Sequence, residues 1–332
     1  MRNFNQFTLL SYFKAFLFLA LGVSTSVYAG EWHKGVNAGV YGVRNYKVYV
    51  PQKAKKMDRP ALVVFIHGCE QDAEEFARGA RMIEASDKEG FVLLLPEQNK
   101  SYNPYKCWNW VLPQNLGRAG EPEVIRQMTD ETIERFNLDD QRVFVAGMSS
   151  GAGMVNILGN CYPEKFKALA SHDGTMYNST NIALDYEEVV VNGPSVAPWI
   201  SAFKGYLCAS LVDKPKSMPI IIFHGNNGPL MSPVHAFQIE NQMKVYNDYL
   251  DNGKRDYSYF KEKSVTVTKD TDKYGYTLFS VVNKFNQPFI ERYMINHLGH
   301  AWSGGDAKYP YNDPKGPDAT KLVIQFFKKY GL

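Results

Sequence analysis

The chain shows little charge imbalance and little sign of a nucleic-acid-binding surface. It has 37 lysines and arginines against 34 aspartates and glutamates, so its formal net charge is +3 over 332 residues. Proteins that hold nucleic acid through its phosphates concentrate far more positive charge on one face or in one tail. We therefore expect no nucleic-acid partner.

The sequence also lacks apolar runs long enough to span a membrane. The short apolar run near its start fits a signal peptide better. Residues 1–29 have the pattern of a secretory signal peptide, with Arg2 and Lys14 in a basic region and Val27-Tyr-Ala29 as the cleavage site. The apolar core over 15–23 is shorter than the ~20 residues of a membrane span, which disfavours the alternative of an anchor. We expect a secreted or periplasmic protein without a stable membrane anchor after cleavage.

Cysteine is scarce, and its spacing is not that of a metal site. Four cysteines follow the signal segment, and no two of them form a Cys-x-x-Cys pair. An even number behind a signal peptide indicates disulfides, with three pairings open. The lack of Cys-x-x-Cys and of a His-Glu-x-x-His motif disfavours zinc, and we expect neither metal nor cofactor. The four residues are Cys69, Cys107, Cys161 and Cys208.

Short apolar runs alternate with helical patterns along the chain. Residues 61–66, 91–95 and 219–223 are continuous apolar runs, typical of strands buried on both faces of a parallel sheet. Their alternation with helices predicts an α/β fold with a mostly parallel sheet and helices on both faces. No repeat or linker divides the rest, so we expect one catalytic domain over 30–332. Within it, residues 176–217 lack periodicity and form either a cap over the site or an ordinary insertion.

The sequence also predicts three local elements. The pattern predicts an early strand over 46–50 and a single helix over 73–86. It also predicts a hairpin of two alternating strands, 264–269 and 276–283.

The segment 144–154 joins a predicted buried strand to a helix through a turn of small residues. It contains Gly147-x-Ser149-x-Gly151, the pattern of a nucleophile elbow. The serine hydroxyl is held out for attack in such a turn, and the glycines are needed because neighbouring backbone passes where a Cβ would lie. With ~7% glycine usage, chance alone gives this pattern in roughly one chain in ten. The surrounding sequence therefore has to show whether this serine is a nucleophile.

That context is a set of polar residues at the predicted ends of strands, which meet at one edge of a parallel sheet. A serine hydroxyl needs a base, usually a histidine oriented by a carboxylate. His300 is the preferred base because it follows the acid candidates in the chain. His297 is an alternative base, although its position favours a role in supporting the loop. The strand-end residues are His67-Gly68, Ser149, Asp173, Asn226-Asn227 and His300.

Further residues have expected roles around the elbow. The backbone N–H groups of Ser150 and Cys69 are the candidates for an oxyanion hole, with His67 orienting the loop. Three tryptophans are candidate walls of a substrate cleft, with internal packing as the alternative. They are Trp108, Trp110 and Trp302.

Six motifs in order resemble the secreted poly(3-hydroxybutyrate) depolymerase-like esterases, relatives of feruloyl and acetylxylan esterases. The resemblance implies an α/β-hydrolase fold and carboxylic-ester hydrolysis with Ser149 as nucleophile and His300 as base. It also implies a Cys69–Cys107 disulfide, which leaves Cys161 and Cys208 to pair. The motifs are His67-Gly-Cys-Glu-Gln-Asp72, Pro96-Glu-Gln98, Cys107-Trp-Asn-Trp110, Gly147-Met-Ser-Ser-Gly151, Gly299-His-Ala-Trp-Ser-Gly-Gly305 and Gly316-Pro-Asp-Ala319.

This chain departs from the family pattern at the acid, the carboxylate that orients the histidine in a Ser-His-acid triad. Its relatives usually carry His-Gly-x-x-Asp where this chain reads His224-Gly-Asn-Asn-Gly228, so Gly228 stands at the acid position. We expect Asp173 to replace the missing carboxylate, because some lipases of this fold place their acid after that strand. The alternatives are Asn226 or Asn227 as a neutral orienter, a structural Asp173 in a site weakened by lack of an acid, or a non-catalytic relative.

The expected substrate is a poly- or oligo(3-hydroxyalkanoate) ester. The lack of a linker or adsorption domain in this sequence favours short or amorphous polyester, oligomers or small esters over crystalline granules. Feruloyl or acetylxylan-type ester hydrolysis is the alternative within the esterases. A catalytically impaired ligand-binding relative is the alternative of another class, motivated by Gly228.

Overall fold

The computed structural model describes residues 30–213, 215–228 and 230–332. The expected signal segment, residues 1–29, lies outside the described residues. Ten strands form one central sheet in the order β1-β2-β4-β3-β5-β6-β7-β10-β9-β8. The strands are β1 Glu31–Gly39, β2 Gly42–Val50, β3 Leu62–Ile66, β4 Val92–Pro96, β5 Val143–Met148, β6 Leu169–His172, β7 Ile220–Gly225, β8 Phe260–Val267, β9 Tyr276–Asn283 and β10 Pro288–Ile295.

The middle of the sheet is parallel, and its two margins are antiparallel. Strands β4, β3, β5, β6, β7 and β10 pair in parallel. β2 and β1 continue one side as an antiparallel pair, and β9 and β8 continue the other. Two further short strands, β11 Trp302–Ser303 and β12 Asn312–Asp313, pair separately. The carboxyl ends of β3, β5, β6 and β7 therefore lie side by side, where ligands gather in open α/β sheets.

Helices cover both faces of the sheet, as predicted. Leu62, Val64 and Ile66 of β3 pack into one core, and the alternate residues Val63 and Phe65 pack into the other. Both faces of the central strands are buried, which explains their continuous apolar sequences. The helices are α1 Ala73–Gly79, α2 Met82–Glu89, α3 Gly120–Phe136, α4 Ser150–Cys161, α5 Tyr186–Asn192, α6 Pro198–Ala209, α7 Val234–Asn252 and α8 Ala319–Lys328.

Some local predictions require correction. The predicted helix over 73–86 is two helices, because Arg81 adopts a left-handed backbone conformation (φ 59°) between α1 and α2. The early strand is longer than predicted and pairs with β1, which was not predicted. The predicted hairpin is confirmed as β8 and β9.

Residues 176–217 contain two helices that the sequence pattern did not reveal. One of them, α6, packs against α4 and α7. The other, α5, lies beside the cavity described below. Among the described residues, no helix is both long and apolar enough to cross a membrane.

Both disulfides implied by the family resemblance are confirmed. Cys69–Cys107 joins the loop after β3 to the segment before α3, and Cys161–Cys208 joins the end of α4 to α6. They close loops with sequence separations of 38 and 47 residues. Bridges of this span stabilise a fold by about 2 to 4 kcal/mol, in the chain-entropy model by restricting the unfolded chain.

Candidate active site

Ser149 lies in the turn between β5 and α4, with a backbone conformation that few side chains adopt. Its φ is 56° and its ψ is −124°, a combination that persists only where the surrounding structure enforces it. The Ser149 amide donates a hydrogen bond of 2.9 Å to the His172 carbonyl at the end of β6, and its carbonyl accepts one of 3.0 Å from Gly153. These bonds hold the turn predicted from the Gly-x-Ser-x-Gly pattern.

The two glycines of the elbow allow α4 to begin directly against the end of β3. A Cβ on Gly151 would lie 2.3 Å from the Ile66 carbonyl oxygen and 2.5 Å from the His67 carbonyl oxygen. A Cβ on Gly147 would lie 2.8 Å from the Gly151 backbone. Both contacts are with backbone atoms that cannot move aside, so the close approach requires glycine.

The loop after β3 lies against the serine. A Cβ on Gly68 would be 3.1 Å from the Ser149 Cβ. His67 Nε2 accepts a hydrogen bond of 3.0 Å from the Gln98 amide, so its Nδ1 carries the proton and donates to the Gly68 carbonyl at 2.6 Å. Burial lowers the pKa of His67 to about 4. His67 is therefore neutral and holds this loop, while the disulfide fixes Cys69 beside it.

A cavity of about 230 Å³ opens over the elbow. Ser149 and His300 both line it, and so does Cys69. The structure thus brings together three of the residues predicted from sequence. Other side chains in the wall were not predicted: Glu70, Gln71, Tyr105, Tyr186, Val190, Leu230, Met231 and Tyr311.

Asp173 lies next to His300 at the end of β6. Its Oδ2 atom is 3.7 Å from His300 Nδ1. Both atoms are buried without a hydrogen-bond partner among the described residues, so a small shift would join them, and such bonds often tighten only when substrate binds. The Asp173 backbone is left-handed (φ 46°) and its amide donates to the Phe223 carbonyl at 2.9 Å. This contact directs the carboxylate towards β7 and His300.

Three polar groups besides His300 surround the Asp173 carboxylate. Its Oδ1 accepts a hydrogen bond of 3.2 Å from the Gly225 amide and lies 3.3 Å from His224 Nδ1. Its Oδ2 lies 3.6 Å from His172 Nδ1. His172 Nε2 accepts from the Ser303 amide at 3.1 Å, so the neutral ring has its proton on Nδ1, facing the carboxylate.

These neighbours decide the charge of Asp173. The carboxylate is 1% exposed, and burial alone opposes its ionisation. His224, His172 and His300 outweigh burial and lower the pKa of Asp173 to about 2. Burial lowers the pKa of His300, against the opposing pull of Asp173. At neutral pH the site therefore pairs an ionised carboxylate with a neutral imidazole that can accept a proton.

Gly228, the position at which the family resemblance led us to expect the acid, lies beside His300. A Cβ on Gly228 would be 3.5 Å from the His300 amide nitrogen, an ordinary contact distance. The neighbouring amides are exposed and hold the preceding turn: Asn226 Oδ1 accepts from the His297 amide at 2.8 Å. His297 itself bonds Asp270 at 2.9 Å and is not part of the cavity wall. These contacts favour a supporting role for the whole segment.

The three tryptophans lie behind the cavity rather than in its wall, contrary to the expected substrate contact. Trp302 is fully buried, stacks on His172 with ring centroids 4.9 Å apart, and donates from Nε1 to Thr320 at 3.0 Å. Trp108 and Trp110 are 1% and 4% exposed. Sequence pattern does not tell which way an aromatic side chain points, and here tyrosines occupy the wall instead.

The overall fold agrees with that of solved esterases. An acetyl xylan esterase from Aspergillus awamori superposes with a TM-score of 0.68 at 20% identity, covering 90% of this chain and all of that one. An S-formylglutathione hydrolase from Agrobacterium tumefaciens gives 0.56 at 14% identity, covering 92% and 97%. With its parallel sheet and strand–turn–helix elbow, the chain has the α/β-hydrolase fold.

A family model narrows this class. The model described as Esterase PHB depolymerase matches residues 44–263. The chain therefore belongs to the esterase PHB depolymerase family, which confirms the resemblance found in its motifs.

Relatives that are similar in sequence carry three different enzyme names. Poly(3-hydroxyalkanoate) depolymerase C of Paucimonas lemoignei is 26% identical over 243 residues, 72% of this chain and 54% of that protein. Feruloyl esterase B of Neurospora crassa is 36% identical over 137 residues, 41% and 45%. Acetylxylan esterase A of Emericella nidulans is 27% identical over 213 residues, 61% and 65%. The matches thus span less than two thirds of these relatives' own lengths.

The crossing of α4 and β3 generates a prediction about stability. Gly151→Ala places a methyl group against two immovable carbonyls, so we expect it to lower the free energy of unfolding by at least about 2 kcal/mol. Gly117→Ala is the matched control, because a Cβ there meets nothing within 4 Å, and it should stay within about 0.5 kcal/mol of the parent. Urea unfolding measures both. Equal midpoints for the two variants would contradict the close crossing.

Proposed function

We propose that the chain is a secreted serine esterase that hydrolyses carboxylic esters through an acyl-enzyme on Ser149. The observation that carries this proposal is the buried Asp173 carboxylate beside His300, a histidine that lines the same cavity as the elbow serine. A structural aspartate alone would not require a histidine at the edge of that cavity. Membership of the esterase PHB depolymerase family supports the same reaction class.

The proposed reaction has two halves. His300 removes the proton from the Ser149 hydroxyl while its oxygen attacks the ester carbonyl carbon, and the amides of Ser150 and Cys69 stabilise the oxyanion. His300 then donates the proton to the departing alkoxide, which leaves an acyl group on Ser149. Water, deprotonated by His300, attacks this acyl group, and the acid departs as the proton returns to Ser149.

Asp173 takes the role of the acid in this proposal. Its carboxylate holds the proton of His300 on Nδ1, which leaves Nε2 free to accept, and it stabilises the imidazolium that forms. Gly228 lacks the side chain to do this, and the contacts of Asn226 and Asn227 lie with the His297 segment instead. Relocation of the acid is favoured over a neutral orienter for that reason.

The proposed substrate is a poly- or oligo(3-hydroxyalkanoate). The cavity lining includes the side chains of Tyr186, Val190, Leu230 and Met231, whose apolar surface suits the alkyl groups of such an ester. The depolymerase relative also matches 72% of this chain. Feruloyl or acetylxylan-type hydrolysis is the second candidate, favoured by the structural match to an acetyl xylan esterase.

We place the enzyme outside the reducing cytoplasm as part of this proposal. Two disulfides join segments of the fold that are 38 and 47 residues apart in sequence, and such bonds persist in oxidising compartments. The signal pattern over residues 1–29 supports the same location.

The relocated acid generates a prediction for kinetics. Asp173→Asn should lower kcat for a short p-nitrophenyl ester by up to ~10⁴-fold, because the amide favours the wrong histidine tautomer. Gly228→Asp added to this variant should restore at least ~10-fold of the loss, since the new Cβ fits beside His300. Gly228→Asn in the same background is the control and should restore nothing.

The pH profile provides a second measure of the same change. Burial places the acid limb of kcat/KM below the ordinary histidine pKa of about 6.5. Asp173 raises the pKa of His300, so its replacement should move that limb to still lower pH. A kcat near that of the parent enzyme, with an unmoved limb, would assign Asp173 a structural role.

The substrate class generates a separate prediction. We expect kcat/KM for a 3-hydroxybutyrate trimer methyl ester to exceed that for methyl ferulate and for acetylated xylo-oligosaccharide by at least ~10-fold, a ratio that pocket contacts can supply. Ser149→Ala provides the background and should abolish turnover of all three. A higher value for either rival would reassign the substrate, and no turnover or p-nitrophenol burst by the parent protein would indicate a ligand-binding relative.

A further inference from the structure

Glu70 and Tyr311 form a hydrogen-bonded pair in the wall of the candidate active site. The Tyr311 hydroxyl donates to Glu70 Oε2 at 2.7 Å, although the two residues are 241 positions apart in sequence. Both line the cavity that contains Ser149 and His300. The pair therefore joins the loop after β3, which carries Cys69, to the segment between β11 and β12.

The backbone at both positions fixes where these side chains point. Glu70 and Tyr311 have left-handed conformations, with φ of 63° and 57°, which glycine adopts far more readily. The Glu70 amide donates to the Tyr105 carbonyl at 2.6 Å, and the Tyr311 carbonyl accepts from the Trp302 amide at 2.7 Å. Each residue is thus held by its own backbone as well as by the side-chain bond.

The charge of this pair is not balanced in the cavity. Of the described residues that form the wall, Glu70 alone carries a carboxylate, and none is a lysine or arginine. The hydrogen bond to Glu70 raises the pKa of Tyr311, so the tyrosine stays neutral and donates to the carboxylate. Val190 and Met231, which also line the cavity, offer no group to solvate an anion.

We propose that Glu70, held by Tyr311, is a specificity-determining residue that disfavours substrates with a carboxylate near the scissile ester. This inference rests on the proposed esterase function and adds the charge of the substrate to it. Like charges repel, but Glu70 is exposed to solvent where it lines the cavity, so the effect is moderate and weakened by salt.

Repulsion from Glu70 would act unevenly along a polyester substrate. A 3-hydroxyalkanoate chain is neutral except for the carboxylate at one end. Repulsion from Glu70 disfavours the ester bond next to that end, so internal bonds are cut in preference. It also favours departure of the acid produced by each turnover.

Two matched substrate pairs test this with the full chain. One pair is the 3-hydroxybutyrate dimer as free acid and as methyl ester, with the charge on the alcohol side. The other is p-nitrophenyl hemisuccinate and p-nitrophenyl butyrate, with the charge on the acyl side. We expect Glu70→Gln to reduce the preference for the neutral member of at least one pair by roughly threefold to tenfold.

Controls separate charge from shape. Tyr311→Phe removes only the hydroxyl and should give a smaller change in the same direction. Glu75→Gln removes an exposed charge on α1 outside the cavity wall and should give none. In 0.5 M salt the preference of the parent enzyme should fall towards that of Glu70→Gln.

The outcomes also separate this proposal from the proposed function. Unchanged preferences for both pairs in Glu70→Gln, with neutral-ester turnover that depends on Ser149, would overturn the role of Glu70 and leave the esterase function intact. Turnover that survives Ser149→Ala would overturn the function itself.

Discussion

The negative charge of a buried carboxylate has to be stabilised by neighbouring groups. The candidate site depends on the groups that do so around Asp173. Burial opposes its charge, and three imidazoles together with the Gly225 amide restore it. Those groups come from the ends of β6 and β7 and from the segment before β11. The ionised Asp173 thus links the neighbouring strand ends to His300, and the proposed chemistry needs this state because a carboxylate stabilises an imidazolium better than a protonated carboxyl group does.

The second constraint is the close passage of backbone at the elbow. Gly147 and Gly151 let α4 begin against the end of β3, which brings the Ser149 side chain to the loop that carries Gly68 and Cys69. The proposed nucleophile and the proposed oxyanion donors are therefore positioned by one crossing of a helix and a strand. A parallel sheet makes this possible because the strands concerned end at the same edge.

Much of the fold was predictable because burial leaves a direct mark on sequence. Strands covered on both faces are continuous apolar runs, and the elbow requires glycines that can be recognised. β1 was missed because it is an exposed margin strand with a mixed pattern, and the break at Arg81 left no local signal. The polar ring around Asp173 and the Glu70–Tyr311 pair depend on contacts between distant residues, which one sequence does not reveal. Trp302 shows the same limit, because its inward direction follows from packing on His172.

The most direct test of the account is covalent labelling with a fluorophosphonate, followed by peptide mass spectrometry. An activated serine attacks the phosphorus and releases fluoride, so we expect one adduct per chain, located on Ser149. Ser149→Ala should take no label, and Asp173→Asn should react at least ~100-fold more slowly, because its histidine is a poorer base. Absence of an adduct on Ser149, or equal labelling rates for the parent protein and Asp173→Asn, would contradict the proposed site.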